Sequence, residues 1–278
     1  MTPNKDFHRI VTHAGMFHAD EVLGRALTIA LEVGSGAEFI RTNEVPIEFL
    51  LDSKTLVFDI GRQYDPLLGN FDHHHDPELP AACMLLLRHF YPFGAVRDRI
   101  ENQLFAYVSK VDVGDIIEEA GEEFTVPTFN KIIRSLNSLG DFDLAVGVAL
   151  PVLRSTIASC QSAVMEEEIW ANQVEVSGGV AIYEGDAPLN TWRQLGKRDG
   201  AFLLLSPNRR GPGWRLESRD TNLYKIPEGF GGPTFRHNSG FVAVYERKTT
   251  ALMVAALLMQ ANKWRSWLPA ALLMQANK

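Results

Sequence analysis

In the first half of the chain, short apolar runs alternate with segments whose apolar residues recur at helical spacing. Ile10 and Val11 form one run, residues 37–41 form a second, and residues 55–60 form a third that is rich in β-branched and aromatic side chains. Between the first two runs, apolar side chains recur every three or four positions over residues 22–31, as on one face of a helix. Strands that alternate with helices predict an α/β layer with a mainly parallel sheet.

Longer helical patterns follow, and the pattern then changes. Residues 80–90 and 96–108 are each predicted to form a helix, and residues 141–173 a long one that Pro151 interrupts or kinks. After it come strand-like segments and loops rich in Gly and Pro, then a helical tail from Lys248. The strand-like segments are 179–183, 201–205 and 214–218, and residues 235–245 lie between the last Gly-rich loop and the tail. We therefore expect a domain over residues 1–172, including the linking helix, and a smaller α+β domain over residues 173–278.

The overall composition is that of a soluble globular protein. Of the 278 residues, 46% are hydrophobic and 22% are charged. The net charge of −7 argues against a broad surface for duplex DNA, but it fits a protein that gathers carboxylates around divalent cations. The two cysteines lie at no metal-ligand spacing, and we expect them to be reduced.

The sequence gives no sign of a targeting segment or a membrane span. Residues 1–9 are polar, and the longest stretch without a charge, residues 249–262, is too short for a bilayer. We therefore expect a cytoplasmic protein with no membrane partner. The nonapeptide AALLMQANK occurs twice, at 255–263 and 270–278, and we attach no chemistry to it.

Histidines and acidic residues cluster in loops of the first half. Six of the eight histidines lie at or before residue 75. The segment THAGMFHADE, residues 12–21, follows the first strand, opens the first helix and carries His13, His18 and Asp20. Ligands of open α/β sheets bind at the carboxyl ends of the strands, and a loop there lets these three side chains converge.

Two further loops extend this cluster. Asp59 ends an apolar strand, where an ionised carboxylate needs a cation or a hydrogen-bond donor, although a turn or a helix cap would also use it. Asp72, His73 and His74 place imidazoles beside a carboxylate, as around transition metals, and a solvated surface run is the competing interpretation. His75 is interpreted as a bystander.

Asp112 completes the set at the end of a helical segment, with Asp115 as the competing choice. Mixed imidazole and carboxylate ligands favour Mn²⁺, with Mg²⁺, Co²⁺ or Zn²⁺ as competitors, whereas a structural zinc site would use cysteines. Two or three ligands for each metal and one shared carboxylate predict two divalent ions. Two ions roughly 3.5–4 Å apart suit phosphoryl displacement, so the cluster predicts a phosphoester hydrolase.

The ordered motifs resemble the DHH phosphoesterase superfamily, and more closely its melanocyte-proliferating-gene family of DHH-like metal-dependent phosphoesterases. The resemblance extends from about Thr12 to about Ala256. It implies a DHH-type N-terminal domain with a mainly parallel sheet over residues 1–172 and a substrate-clamping domain over residues 173–278. The motifs that carry it are THAGMFHADE (12–21), FDIG (58–61), FDHH (71–74), WRL (214–216) and FRHNSGF (235–241).

The resemblance implies that Asp59 bridges two ions. Asp59, His13 and His18 would hold one ion. Asp59, Asp20, His73 and Asp112 would hold the other. The superfamily usually has an aspartate at the position of His18, which leaves the first site less acidic here. The candidate metal ligands are His13, His18, Asp20, Asp59, His73 and Asp112.

The resemblance also implies catalytic roles beside the metals. Asp72 would orient His73, and His74 would face the substrate phosphate. The candidate catalytic residues are therefore His74, Asp59 and Asp72.

Substrate contacts are expected in the second domain. Glycines let backbone amides approach an anion, and an arginine supplies a planar bidentate donor, although a turn with one exposed arginine is the competing interpretation. The substrate-binding candidates are Gly232, Arg236, His237, Ser239 and Gly240. Three arginines could contact a longer ligand: Arg209, Arg210 and Arg215. A protein that binds single-stranded RNA is expected to stack an aromatic side chain on a base. The sequence does not identify which of Trp192, Trp214 or Tyr224 would do so.

Together these features predict a metal-dependent phosphodiesterase, or a 3′–5′ exonuclease acting on short RNA as the resemblance suggests. The acidic net charge favours a phosphorylated small molecule or short single-stranded RNA over long nucleic acid. A pyrophosphatase or small-nucleotide phosphohydrolase is one alternative. A metal-binding regulatory protein without turnover is another, because His18 would weaken the first site. Assembly into a homodimer is left open.

Overall fold

The computed structural model describes residues 5–118 and 127–265. The chain divides into two compact units, Met1–Gln161 and Ser162–Lys278. The division falls inside the long helix α7, Phe142–Gln173. The predicted boundary after residue 172 lies at the end of that helix and stays a prediction. The second copy of the nonapeptide, 270–278, lies outside the described residues.

The N-terminal unit is built on a five-stranded sheet in the order β2-β1-β3-β5-β4. Strands β2, β1, β3 and β5 run parallel to one another, and the edge strand β4 pairs antiparallel with β5. The predicted mixed α/β class and the mainly parallel sheet are therefore confirmed. The strands are β1 (Arg9–His13), β2 (Glu38–Thr42), β3 (Thr55–Phe58), β4 (Tyr64–Asp65) and β5 (Asn70–Phe71).

Helices pack on this sheet by the apolar faces that the sequence pattern predicted. Val22, Leu23 and Leu27 of α1 are buried in the core. A Cβ on Gly24 of α1 would lie 3.1 Å from the Phe58 ring, so glycine allows α1 to approach β3 closely. The helices are α1 (Ala19–Ala30), α2 (Ile47–Leu50), α3 (Ala82–Phe90), α4 (Ala95–Ile100), α5 (Ala106–Asp112) and α6 (Phe129–Ser135).

The predicted helix over residues 96–108 has an irregular middle. Residues Glu101–Phe105 form a turn of π-helix between α4 and α5, and the helical segment extends to Asp112. The long helix α7 continues through Pro151. By length and composition alone α7 could cross a membrane, with a mean hydropathy of 1.4 in its most apolar window, but core helices of soluble proteins pass the same test. The prediction of no membrane partner stays a prediction.

The C-terminal unit has a six-stranded sheet in the order β10-β11-β9-β8-β7-β6. Its pairs are antiparallel except for β7 and β8. Residues 235–245 form two strands that a turn separates. The strands are β6 (Val174–Ser177), β7 (Val180–Tyr183), β8 (Leu203–Pro207), β9 (Trp214–Ser218), β10 (Phe235–Arg236) and β11 (Val242–Tyr245).

Two helices cover different parts of this sheet. Helix α9 (Lys248–Arg265) packs Ala251, Val254 and Leu258 into a core with Leu203, Leu205 and Leu216. Helix α8 (Trp192–Arg198) packs Trp192 and Leu195 into a second core with Tyr183 and Leu204. Because successive side chains of a strand point to opposite faces, these two cores lie on the two faces of the sheet.

Candidate metal centre

The metal-ligand candidates lie where strands of the parallel sheet end. His13 is the last residue of β1, Asp59 directly follows β3, and His73 lies two residues after β5. Asp20 is in the first turn of α1, the helix that follows β1. Asp112 is the last residue of α5. With His18, the residue before α1, five of the six predicted ligands thus lie at the end of a strand or in the segment that follows it, and Asp112 comes from a helix end.

Asp59 occupies the middle of the cluster. Its Oδ2 lies 3.3 Å from Nε2 of His13, and its Oδ1 lies 3.4 Å from Nε2 of His73. The side chain is buried, and its backbone is left-handed with a φ of 56°. Asp and Asn adopt this region more readily than other non-glycine residues. The sharp turn out of β3 therefore places one carboxylate between two imidazoles, as the predicted bridging role requires.

His73 completes a compact acidic group with Asp59, Asp20 and Asp112. Its Nε2 lies 3.2 Å from Oδ2 of Asp112 and 4.0 Å from Oδ2 of Asp20. Oδ1 of Asp59 and Nε2 of His73 are both buried without a hydrogen-bond partner among the described residues. Asp115, the competing choice for Asp112, is exposed.

His13 and His18 form the other half of the cluster with a residue that the sequence reasoning missed. The buried carboxylate of Glu21 lies 2.9 Å from Nε2 of His13 and accepts hydrogen bonds of 2.9 and 3.0 Å from the backbone N–H of His18. Nδ1 of His13 lies 3.0 Å from the carbonyl oxygen of Ala14, which orients Nε2 toward the carboxylates. A glutamate three residues after a helix cap is the signal that could have identified Glu21.

Asp20 has a second role besides its place near His73. Its two oxygens accept hydrogen bonds of 2.9 and 2.7 Å from the backbone N–H groups of Ala82 and Cys83. These N–H groups belong to the first turn of α3, where a helix has no internal acceptor for them. Burial raises the pKa of Asp20, and the charges of Asp59 and Asp112 raise it further. A carboxylate has enough lone pairs both to hold the helix end and to bind a cation.

Asp72 contacts a different histidine from the one expected. Its Oδ1 lies 2.6 Å from Nδ1 of His74, and its Oδ2 accepts a hydrogen bond of 2.5 Å from the backbone N–H of Arg62. The predicted orientation of His73 by Asp72 stays a prediction, because the imidazole that Asp72 contacts at hydrogen-bonding distance is that of His74, which the turn after β5 brings over the carboxylate. The His74 ring is half exposed and lines a cavity of about 490 Å³ together with Asp59 and Arg62.

The carboxylates raise the proton affinity of both imidazoles, that of the half-buried His13 and that of the buried His73. Burial alone would lower the pKa of His13, but Asp59 and Glu21 outweigh it and raise this pKa to about 11. Burial also opposes the charged form of His73, and Asp112 and Asp59 raise its pKa to about 10. Burial would raise the pKa of Asp59, but His13 and His73 lower it below its usual value. The cluster therefore attracts positive charge strongly.

A divalent cation fits this donor set. Three groups of side chains each place one ligand atom per residue within 4.8 Å of one another. A buried carboxylate oxygen and a buried imidazole nitrogen without partners are the atoms that a cation would satisfy. Oxygen and imidazole donors together suit Mn²⁺ and its neighbours. The three groups are Asp20, Asp59, His73 and Asp112; His13, His18 and Glu21; and Asp59, Asp72, His73 and His74.

The predicted substrate residues lie in the C-terminal unit, and several have structural contacts there. The Arg236 guanidinium donates to the carbonyl oxygen of Ile226 at 2.8 Å and to that of Asn238 at 3.5 Å. Nδ1 of His237 lies 2.9 Å from Oγ of Ser239. Gly240 is buried with a φ of 73°, and a Cβ there would lie 2.8 Å from Nη2 of Arg236. Gly232 is exposed. Their substrate role stays a prediction.

A protein-family model matches the first quarter of the chain. Residues 9–78 match the model of the MYG1 exonuclease family, described as an uncharacterised protein family (UPF0160). The family resemblance that the first three motifs predicted is confirmed over this segment. The segment holds every predicted metal ligand except Asp112. After residue 78 the resemblance depends on the later motifs alone.

Curated relatives match the same region. Over 66 residues the chain is 39% identical to a MYG1 protein of Schizosaccharomyces pombe and 42% identical to the MYG1 exonuclease of Homo sapiens. The matched stretch makes up 24% of this chain, 19% of the yeast relative and 17% of the human relative. The chain thus spans less than a fifth of the length of these relatives.

A solved structure also aligns with this chain over nearly its full length. A pGpG-specific phosphodiesterase from Vibrio cholerae covers 93% of this chain and 99% of its own, with a TM-score of 0.32 and 11% sequence identity. A TM-score of this size supports no conclusion about fold or function.

Proposed function

We propose that this protein is a metal-dependent hydrolase of phosphoester bonds, with a DHH-type catalytic domain at its N-terminus. The observation that carries the proposal is the position of Asp59. One of its buried oxygens faces His13 and the other faces His73. A single carboxylate shared by two groups of ligands is the arrangement that a two-metal centre needs.

In this proposal His13, His18 and Glu21 hold one ion and Asp20, His73 and Asp112 hold the other, with Asp59 between them. Glu21 is added to the predicted set because its carboxylate lies within hydrogen-bonding distance of His13. Two bound ions would supply Lewis-acid activation of water and would neutralise charge on the phosphoryl group. Mn²⁺ is the ion proposed, since the donors are a mixture of imidazoles and carboxylates.

The residues around the cavity have separate tasks in this proposal. His74 lines the cavity, and its ring is held by the Asp72 carboxylate, so it can donate a hydrogen bond to a phosphoryl oxygen. Arg62 lines the same cavity, and its backbone N–H donates to the other oxygen of Asp72. Asp72 therefore positions the side chain of His74 and the backbone of Arg62, both of which line the cavity.

Phosphodiesters in short RNA are the proposed substrates. The supporting points are the MYG1 exonuclease name of the relatives, the similarity over residues 9–78, and the acidic net charge of −7. The cavity of about 490 Å³ is in the range of pockets that enclose a small ligand, so it suits one nucleotide of a short strand.

The proposal is tested with Mn²⁺-loaded protein on three substrates: bis-p-nitrophenyl phosphate, pyrophosphate and short end-labelled oligoribonucleotides. We expect stepwise shortening of the oligoribonucleotides and hydrolysis of the diester. His74→Gln should lower the rate roughly 10²–10⁴-fold, as the loss of a positioned proton donor does. His75→Gln is the matched control, since His75 is the exposed neighbour in the same run.

Three outcomes separate the alternatives. Hydrolysis of pyrophosphate alone would replace the diesterase proposal with a pyrophosphatase. Two metal equivalents without turnover on any substrate would support a metal-binding regulatory protein. Equal rates in His74→Gln and His75→Gln would remove His74 from the mechanism.

A further inference from the structure

The C-terminal unit contains a small, partly open cavity that the proposed hydrolysis does not use. It measures about 170 Å³ and lies between β8, β9 and the start of α8. That volume is below the roughly 300–1,000 Å³ of pockets that enclose whole drug-sized ligands. The cavity therefore suits a small polar group. Its polar and charged lining residues are Asn190, Trp192, Arg193, Ser206, Arg209, Arg215 and Glu217.

Three arginines give this cavity a positive balance. Arg193, Arg209 and Arg215 line it, and Glu217 is the acidic residue beside them. Oε2 of Glu217 lies 3.0 Å from Nη2 of Arg215 and 3.8 Å from Nη2 of Arg193. One carboxylate thus fixes two guanidinium groups but neutralises only one charge. Arg209 is held in turn by the carbonyl oxygen of Ala187.

Two buried donors in the lining lack acceptors. The indole N–H of Trp192 and the Nε of Arg215 are both buried without a hydrogen-bond partner among the described residues. Trp192 is only 2% exposed, and its ring is part of the core under α8. A buried N–H without an acceptor costs free energy, and an anion in the cavity would accept from it.

From these contacts we propose that the cavity binds one phosphate group, either inorganic phosphate or the terminal phosphate of a nucleotide. Arginine forks match the geometry of phosphate oxygens, and the indole N–H adds a neutral donor at the buried end. Arg193 and Arg209 are exposed side chains, so the group enters from that side. The site depends on the C-terminal unit alone and stands whether or not the chain hydrolyses phosphoesters.

The test measures binding by calorimetry on the full-length protein after treatment with EDTA, so that bound metal contributes no phosphate affinity. The probes are inorganic phosphate, uridine 5′-monophosphate and uridine. We expect phosphate and the monophosphate to bind and uridine not to bind. Tighter binding of the monophosphate would identify a nucleotide end as the source of the phosphate, and equal affinities would identify the free anion.

Matched variants locate the site. Arg193→Gln and Arg209→Gln should each weaken phosphate binding roughly tenfold or more, the usual effect of removing a charged hydrogen bond. Trp192→Phe keeps an aromatic ring but removes the indole N–H, and it should weaken binding less. Arg210→Gln is the control, since Arg210 neighbours Arg209 but does not line this cavity.

Two results would overturn the proposal. One is the absence of phosphate binding to the metal-free protein. The other is an equal loss of affinity in Arg209→Gln and Arg210→Gln, which would indicate general surface charge. Because no metal is present, neither result bears on the hydrolysis proposed for the N-terminal unit.

Discussion

The two units of this chain gather charge of opposite sign around their cavities. The N-terminal unit buries Asp20, Glu21 and Asp59 around two imidazoles and leaves a carboxylate oxygen without a partner. The C-terminal unit surrounds a cavity with three arginines and leaves an indole N–H without a partner. The unsatisfied atoms are a carboxylate oxygen and an imidazole nitrogen among carboxylates in the first case, and two N–H donors among arginines in the second. The sign of the charge on the surrounding side chains, negative in the first case and positive in the second, therefore distinguishes a cation site from an anion site.

The largest expected effect comes from the residue at the centre of the acidic cluster. Asp59→Asn removes the shared charge, so metal content should fall from two equivalents to one or fewer, measured by elemental analysis after gel filtration. The rate of phosphodiester hydrolysis should fall by more than about 100-fold, since loss of a mere supporting partner of a ligand already costs roughly 10–100-fold. Unchanged metal content would refute the bridging role of Asp59.

The pH dependence of cation binding should be steep. The pKa values of His13 and His73 are raised to about 11 and about 10, so both rings are protonated between pH 6 and 8 when no metal is bound. A metal must displace these protons, and the apparent Mn²⁺ affinity should therefore rise with pH, by about tenfold per pH unit for each proton released. Titration at pH 6, 7 and 8 measures this slope.

The C-terminal cavity provides the contrast for that experiment. Arginines keep their charge across this range, and sulfate does not change its charge, so sulfate affinity should stay flat with pH. A flat Mn²⁺ affinity, or a steep sulfate affinity, would break the distinction between the two sites.

A smaller effect is expected from the glutamate that the sequence reasoning missed. Glu21→Gln keeps an acceptor for the backbone N–H of His18 but removes the charge beside His13. Mn²⁺ affinity should fall roughly 10–100-fold. Glu48→Gln, on the exposed surface of α2, is the control and should bind Mn²⁺ like the unchanged protein. Equal affinities in the two variants would exclude Glu21 from the site.

The smallest effect concerns stability in the C-terminal unit. A Cβ on Gly240 would lie 2.7 Å from Cγ of Lys225, and the φ of 73° is left-handed. Gly240→Ala should lower the free energy of unfolding by about 1–3 kcal/mol without changing metal content. Gly229→Ala shares the left-handed φ of 68° but meets open space, so it should cost less. Urea titration of both variants measures the difference, and equal losses would contradict a steric origin.

Much of the N-terminal unit could be predicted from local pattern. Strand β1, helix α1 and strand β3 follow from short apolar runs and helical spacing, and the loops between them carry His13, Asp20 and Asp59. Parallel strands bring such loops to one edge regardless of side-chain detail. For this reason the sequence was sufficient to predict that these side chains lie close together, although it did not predict Glu21 among them.

Other features depend on contacts that no local pattern encodes. The turn after β5 decides that Asp72 forms its hydrogen bond with His74 and not with His73. The phosphate cavity was not predicted because Trp192 and Arg193 come from α8, whereas Arg215 comes from β9. The arginines at 209 and 215 were expected to contact ligand, but nothing in the sequence indicates that they share a cavity with an indole.

The left-handed backbone at Asp59 limits which sequences can keep this centre. Glycine, asparagine and aspartate are the residues that such a backbone accepts at low cost. Only aspartate among them carries a charge. A glutamate would be strained in this backbone conformation, and its longer side chain would place the carboxylate farther from the backbone. Relatives that lose this one residue therefore have few routes by which a second substitution could restore the centre. The position is fixed by geometry as much as by chemistry.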